Sequence, residues 1–215
     1  MVLKRFMNGF LISMAAVGGV VSIGGCGVVE AKDVRVTGIG EKTQKAAEEF
    51  IQSLGSTAIG VINRPKITTK EVQQEFRSLL QEKFALKSIA RYSLGKNFRV
   101  LSEEEKKDFL ECFEKMLARF FSSRFSEYKS AKLTVTGSRK KSSKQVLVDS
   151  KVVMPNKEDI RVVWSVYATD NGLKVYDAII SDVSISNMQR SEFTSKISEK
   201  GLKRFLADFI GKYKK

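Results

Sequence analysis

The 215-residue chain contains no histidine at all. That excludes Ser-His-Asp and Cys-His nucleophilic catalysis and every metal site built on imidazole. Cysteine is nearly as scarce, with only Cys26 and Cys112, so no disulfide framework is implied. Cys112 lies among Phe109, Phe113 and Met116, which reads as a buried structural thiol rather than a nucleophile. The carboxylates gather into no catalytic cluster. Asp177 and Asp182 invite pairing, but five positions apart on one strand they fall on opposite faces. No catalytic residue, metal ligand or cofactor is therefore expected.

The N-terminal segment is informative. Lys4 and Arg5 precede an apolar run from Phe6 to Ile23, with glycines crowded at its end. A short basic region followed by such a run is the pattern of a secretory signal peptide, here over residues 1–31. Two processing sites compete. Ile23-Gly24-Gly25-Cys26 resembles a lipobox, in which Cys26 is lipidated. Val29-Glu30-Ala31 satisfies the small-residue rule for cleavage before Lys32. A single domain is expected over residues 32–215.

Lysine and arginine total 38 against 24 acidic residues, a formal charge of +14. Such a balance calls for an anionic partner. Nucleic acid is disfavoured, because the basic residues are scattered and a secreted protein does not meet it. Arg139-Lys140-Lys141-Ser142-Ser143-Lys144 is the densest basic run. It reads either as a contact for lipid headgroups or as a solvated hairpin tip.

Apolar spacing predicts helices first: Glu41 to Asn63, with a bend at Gly55 or Gly60; Thr68 to Phe84; Ala85 to Leu94, stopped by Gly95; and Ser102 to Tyr128. Thr68 with Glu71 and Ser102 with Glu105 are capping boxes. After Lys129 the period changes to two. Four strands follow, around Leu133–Val135, Val146–Met154, Ile160–Ala168 and Leu173–Val183, joined by short turns. Two closing helices, Asn187 to Glu199 and Leu202 to Tyr213, hinge at Gly201. The fold class is α+β: N-terminal helices, a four-stranded antiparallel twisted sheet and C-terminal helices, with the Phe-rich fourth helix as the natural cover of the sheet. Periodicity alone leaves two readings of that helix and of Val162, Trp164 and Val166, namely a filled core or one wall of an apolar cavity.

The run from Val175 to Phe193 (VYDAIISDVSISNMQRSEF) resembles the MlaC, or toluene-tolerance, pattern V-Y-D-V-x-x-x-G-V-S-L-x-x-N-Y-R-x-x-F. Ile89 to Arg99 (IARYSLGKNFR) is similar to the family's helix ending in L-G-x-x-W-R. Phe109 to Tyr128 matches its F-x-x-x-F-x-x-L-L-x-x-x-Y segment. The ordered set spans roughly residues 45 to 213. Asp182 replaces the usual Gly, Gln189 the usual Tyr and Phe98 the usual Trp, and Ala85 stands where Asp is common.

The resemblance implies a periplasmic carrier that holds phospholipid acyl chains between sheet and helices. It also implies exchange of lipid with an outer-membrane lipoprotein complex and with an inner-membrane ABC transporter bearing an MCE-domain protein, in maintenance of outer-membrane lipid asymmetry. On that basis the expected lipid-lining residues are Phe113, Leu117, Phe120, Val148, Val162, Trp164, Val175 and Ile179. The alternative is a membrane-tethered lipoprotein whose basic surface serves as an interaction module without a cavity.

Overall fold

A computed structural model of the chain describes residues 39–215 apart from Arg124, Asn156 and Lys215. The expected signal segment, both processing sites and Cys26 lie outside the described residues. Helix α1 spans Ile39–Ile62, α2 Thr69–Lys83, α3 Leu86–Leu94 and α4 Glu103–Ser122. Strands β1 (Lys132–Lys140), β2 (Gln145–Val153), β3 (Ile160–Thr169), β4 (Gly172–Ile180) and β5 (Val183–Ser184) follow, then α5 (Ile185–Lys200) and α6 (Leu202–Tyr213).

The helix ends follow local chemistry. Thr68 and Ser102 each accept a hydrogen bond from the third backbone N–H of the helix they start, and the Glu71 and Glu105 carboxylates accept one from the cap backbone N–H. Two donors are satisfied at each end by one side-chain pair. Gly95 and Gly201 end α3 and α5 at φ of 60° and 79°, where a Cβ is disfavoured. Helix α4 stops six residues before the expected end. The Ser122 and Ser123 hydroxyls donate to the carbonyls of Arg119 and Phe120 at 3.1 and 2.9 Å, and the chain passes into a 3₁₀ turn over Phe125–Tyr128.

The sheet is a meander in the order β1-β2-β3-β4-β5, all neighbours antiparallel. It has five strands rather than the expected four. The stretch from Leu173 to Val183 reads as one strand because no glycine or proline within it marks a break. Ser181 and Asp182 interrupt it at φ of 47° and 68°, a two-residue turn that folds Val183 and Ser184 back onto Ile180 and Ile179. Asp182 thus occupies a left-handed position that glycine takes most easily and aspartate tolerates. It is not on a strand at all. Asp177 does structural work beside it, accepting hydrogen bonds from Ser184 Oγ at 2.6 Å and the Ser186 N–H at 2.9 Å, which fixes the start of α5.

The layer over the sheet also differs from expectation. Helix α1, not the Phe-rich α4, packs on β1 and β2. It runs straight through both glycines as one 24-residue helix. Gly55 permits the approach: a Cβ there would lie 2.8 Å from Leu133 Cβ. The same helix protects the exposed edge of β1. Gln52 donates to the Leu133 carbonyl at 3.0 Å and accepts from the Val135 N–H at 3.2 Å, in place of a neighbouring strand. At the other edge, Ala85 N–H donates to the Val175 carbonyl at 2.9 Å, tying the α2–α3 junction to β4. Helix α4 packs instead with α2 and α6. Residues 38–215 form one compact unit.

Candidate functional site

Three apolar clusters result among the described residues, a small one around Val61, Ile62, Val72 and Phe76 and two extended layers. In the first layer, α3, α4, α5 and α6 enclose Phe98, Phe109, Phe113, Phe193, Phe205 and Phe209, all buried. Phe109 sits at the centre, with ring centroids of Phe113, Phe193 and Phe209 at 6.0, 6.0 and 5.3 Å. Cys112 is fully buried there, and burial pushes its thiol pKa up, so it is a packing residue.

The second layer lies between α1 and one face of the sheet. Its fully buried members are small or aliphatic: Ala47, Ile51 and Leu54 from α1, Leu133, Val146, Val148, Val166 and Val175 from the strands, and Leu79 from α2. Around them Phe50, Ile59, Phe84, Val135, Val152, Trp164 and Leu173 are only partly buried. Trp164 is aimed by its indole N–H, which donates to Ser150 Oγ at 2.9 Å, while that buried hydroxyl donates to the Val162 carbonyl at 3.1 Å.

The expected lining residues do not all fall in these two layers. Register places Val148 opposite Trp164, and Ser150 opposite Val162, on the face toward α1. A bulge at Ser165/Val166 keeps Val175 on the same side, opposite Val166. These four sheet residues are therefore together. Ile179 is not with them: it pairs with Val163, while Trp164 pairs with Ala178, so Ile179 lies on the opposite face. Phe113 is inside the helical layer and Leu117 packs against it. Phe120 has its ring against Phe121 at 5.5 Å, and Phe121 stacks on Phe76 of α2 at 6.1 Å.

Sequence reasoning did not single out the partly buried residues that α1 and the α2 end bring to this layer, Phe50, Ile59 and Phe84. Their helical spacing was visible, but not which helix would lie on the sheet. Among the described residues one buried side-chain polar atom lacks a partner, Gln189 Oε1 on α5. The described residues include no helix long and apolar enough to cross a membrane.

The geometry is that of an α+β protein with a long helix on an antiparallel meander and a second, all-helical layer beside it. The chain belongs to the MlaC family: the family model described as MlaC protein matches residues 52–209, from the middle of α1 to α6. Among solved structures, the chain is similar to a phospholipid-binding protein from Ralstonia solanacearum determined in complex with a phospholipid. The two share 20% identity at a TM-score of 0.67, over 79% of this chain and 99% of that one. Comparison with curated protein sequences gives no match.

Proposed function

We propose that the protein is a non-enzymatic phospholipid carrier that holds acyl chains between α1 and the sheet. The observation that carries this reading is the arrangement of the second layer, where small residues form a floor and the large rings of Phe50, Phe84 and Trp164 stand half-buried around it. In the neighbouring helical layer the rings are innermost, and in this layer they are not. The phospholipid in the similar Ralstonia structure supports the reading.

Exposing acyl chains to water costs about 0.8 kcal/mol per CH₂, so an apolar layer of this kind suffices to hold them with little discrimination between headgroups. Val148, Val162, Trp164 and Val175 belong to the proposed lining with Phe50, Ile59 and Phe84. Phe113 and Leu117 support the neighbouring layer. The carrier domain spans residues 32–215, acts in the periplasm after export, and passes lipid between an outer-membrane lipoprotein complex and an inner-membrane ABC transporter with an MCE-domain protein.

The test is native mass spectrometry with solvent extraction, on the domain from Lys32 onward. Near one phospholipid per chain is expected. Ala58→Trp, which fills the α1 wall, lowers that occupancy, and Leu117→Trp leaves it unchanged while reducing stability. A wild-type domain that carries no lipid and takes none from vesicles overturns the carrier reading.

A further inference from the structure

The excess positive charge is not spread evenly. Lys87 and Arg91 of α3, Arg99 of the 3₁₀ segment Gly95–Val100, and Lys106 and Lys107 of α4 surround one surface hollow of about 580 Å³. Its floor includes Phe98 and Leu110, and one carboxylate, Glu103, lines it. Lys106 holds that carboxylate at 2.7 Å and lies over the Phe98 ring at 6.0 Å from its centroid. Lys87, Arg91, Arg99 and Lys107 are exposed, and none has an ion-pair partner among the described residues.

Several cations elsewhere are paired. Arg139 and Arg161 share Asp149, Lys214 meets Asp108, and Lys200 and Arg204 share Asp208. Lys87 and Arg91 stand four residues apart on one helix face, a like-charge spacing that works against α3. The segment that carries Arg99 ends at Val100, which is 71% exposed, the most exposed large apolar side chain among the described residues.

We propose that this hollow is the surface by which the protein docks on a bilayer containing anionic phospholipid, with headgroup phosphates seated among Lys87, Arg91, Arg99, Lys106 and Lys107 and Val100 reaching the acyl boundary. The combination selects the partner. Cations beside a protruding apolar side chain match a membrane interface, which offers phosphates above hydrocarbon. An acidic peptide offers no counterpart to Val100. The docking surface rests on the carrier reading for its purpose, since a carrier has to meet a membrane, but its chemistry is independent of the α1–sheet layer.

The experiment is co-sedimentation of the protein, as recovered from the producing cell, with vesicles of phosphatidylcholine alone or mixed with phosphatidylglycerol. Two variants of equal charge change are compared with wild type: Arg91→Glu with Lys107→Glu in the hollow, and Lys140→Glu with Lys141→Glu at the β1–β2 hairpin tip. Melting curves establish that both remain folded, and Arg91→Gln with Lys107→Gln is the milder form should the reversal fail to fold.

Wild type is expected to favour the phosphatidylglycerol vesicles and to release them as salt rises. The hollow variant binds about tenfold less, and the tip variant binds as wild type. Equal loss in both double variants, or indifference of wild type to phosphatidylglycerol, overturns the proposal. So does a hollow variant that keeps vesicle binding but loses binding to polyglutamate, which would assign the hollow to an acidic protein. Lipid content is read on the same samples. Lipid-loaded protein without vesicle preference removes the docking surface and leaves the carrier reading intact, whereas lipid-free protein removes the carrier reading.

Discussion

In the helical layer the rings lie inside: Phe109 is fully buried with Phe113, Phe193 and Phe209 around it. In the helix–sheet layer the order is inverted, with valines and alanine innermost and Phe50, Phe84 and Trp164 at the rim. Both layers are apolar and both come from amphipathic elements, so composition does not separate them. What differs is whether large side chains meet one another across the interface. Edge-to-face rings such as Phe193 and Phe205, 5.0 Å apart, fill space as a solid. A floor of β-branched residues under a long helix leaves the larger side chains to close around whatever lies above it.

The largest effect expected from this contrast is at Phe109. Phe109→Ala removes the ring that the other helices pack on, and should cost about 3–5 kcal/mol in urea unfolding. Lipid per folded molecule should not change. A loss below about 1 kcal/mol would mean that the layer collapses around the gap and is not the solid it is taken to be. A fall in lipid content with stability retained would place the acyl chains on the helical side instead.

A smaller effect sharpens the other half of the contrast. In a helix interior, Gly→Ala ordinarily stabilises by about 1 kcal/mol. At Gly60 nothing lies within 4 Å of an added Cβ, so Gly60→Ala should show that gain. At Gly55 the added Cβ meets Leu133 Cβ at 2.8 Å, and overpacking costs about 1–3 kcal/mol. Gly55→Ala should therefore be destabilising in the same urea series. A gain at both positions would show that α1 can lift off the sheet without penalty.

These two glycines also show where reading the sequence succeeds and where it stops. Local signals were legible: both capping boxes, the stops at Gly95 and Gly201, the switch from helical to alternating periodicity, and four of the five strands. They depend on neighbours within a few residues, which sequence displays directly. Gly55 read only as a point where the helix bends, because its role is set by Leu133, 78 positions away. Likewise α4, with its Phe stripe, was the obvious cover for the sheet by apolar content. Only the tertiary arrangement puts α1 there and turns the stripe toward α5 and α6. The fifth strand was hidden because Ser181 and Asp182 mark a left-handed turn less plainly than glycine or asparagine would. Of the expected lining residues, Val148, Val162, Trp164 and Val175 share one face of the sheet by alternation, whereas the bulge at Ser165/Val166 puts Ile179 on the other.

Acid should loosen the two layers unequally, though only slightly. On the helical side, hydrogen bonds from Lys106, Lys115 and Lys200 lower the pKa of Glu103, Glu111 and Asp208 respectively. Beside the helix–sheet layer, Glu71 is lowered by the Thr68 hydroxyl and Glu82 by Lys83. A carboxylate depressed in the folded state adds stability that is present above its unfolded pKa and lost as pH falls through the folded value. The window therefore opens below the ordinary glutamate value of 4.5. Lys214 works in the other direction. Its pKa is raised by Asp108, so its contribution holds below 10.5 and fades as pH rises through the shifted value. These groups are exposed, and each contributes little because solvent screens it. Lys200–Asp208 nevertheless fastens α6, so its amides should lose hydrogen-exchange protection as pH falls below the ordinary aspartate value of 3.8 before those of β2 and β3 do. Earlier loss in the strands would show that the sheet layer, not the helical one, depends on its carboxylates.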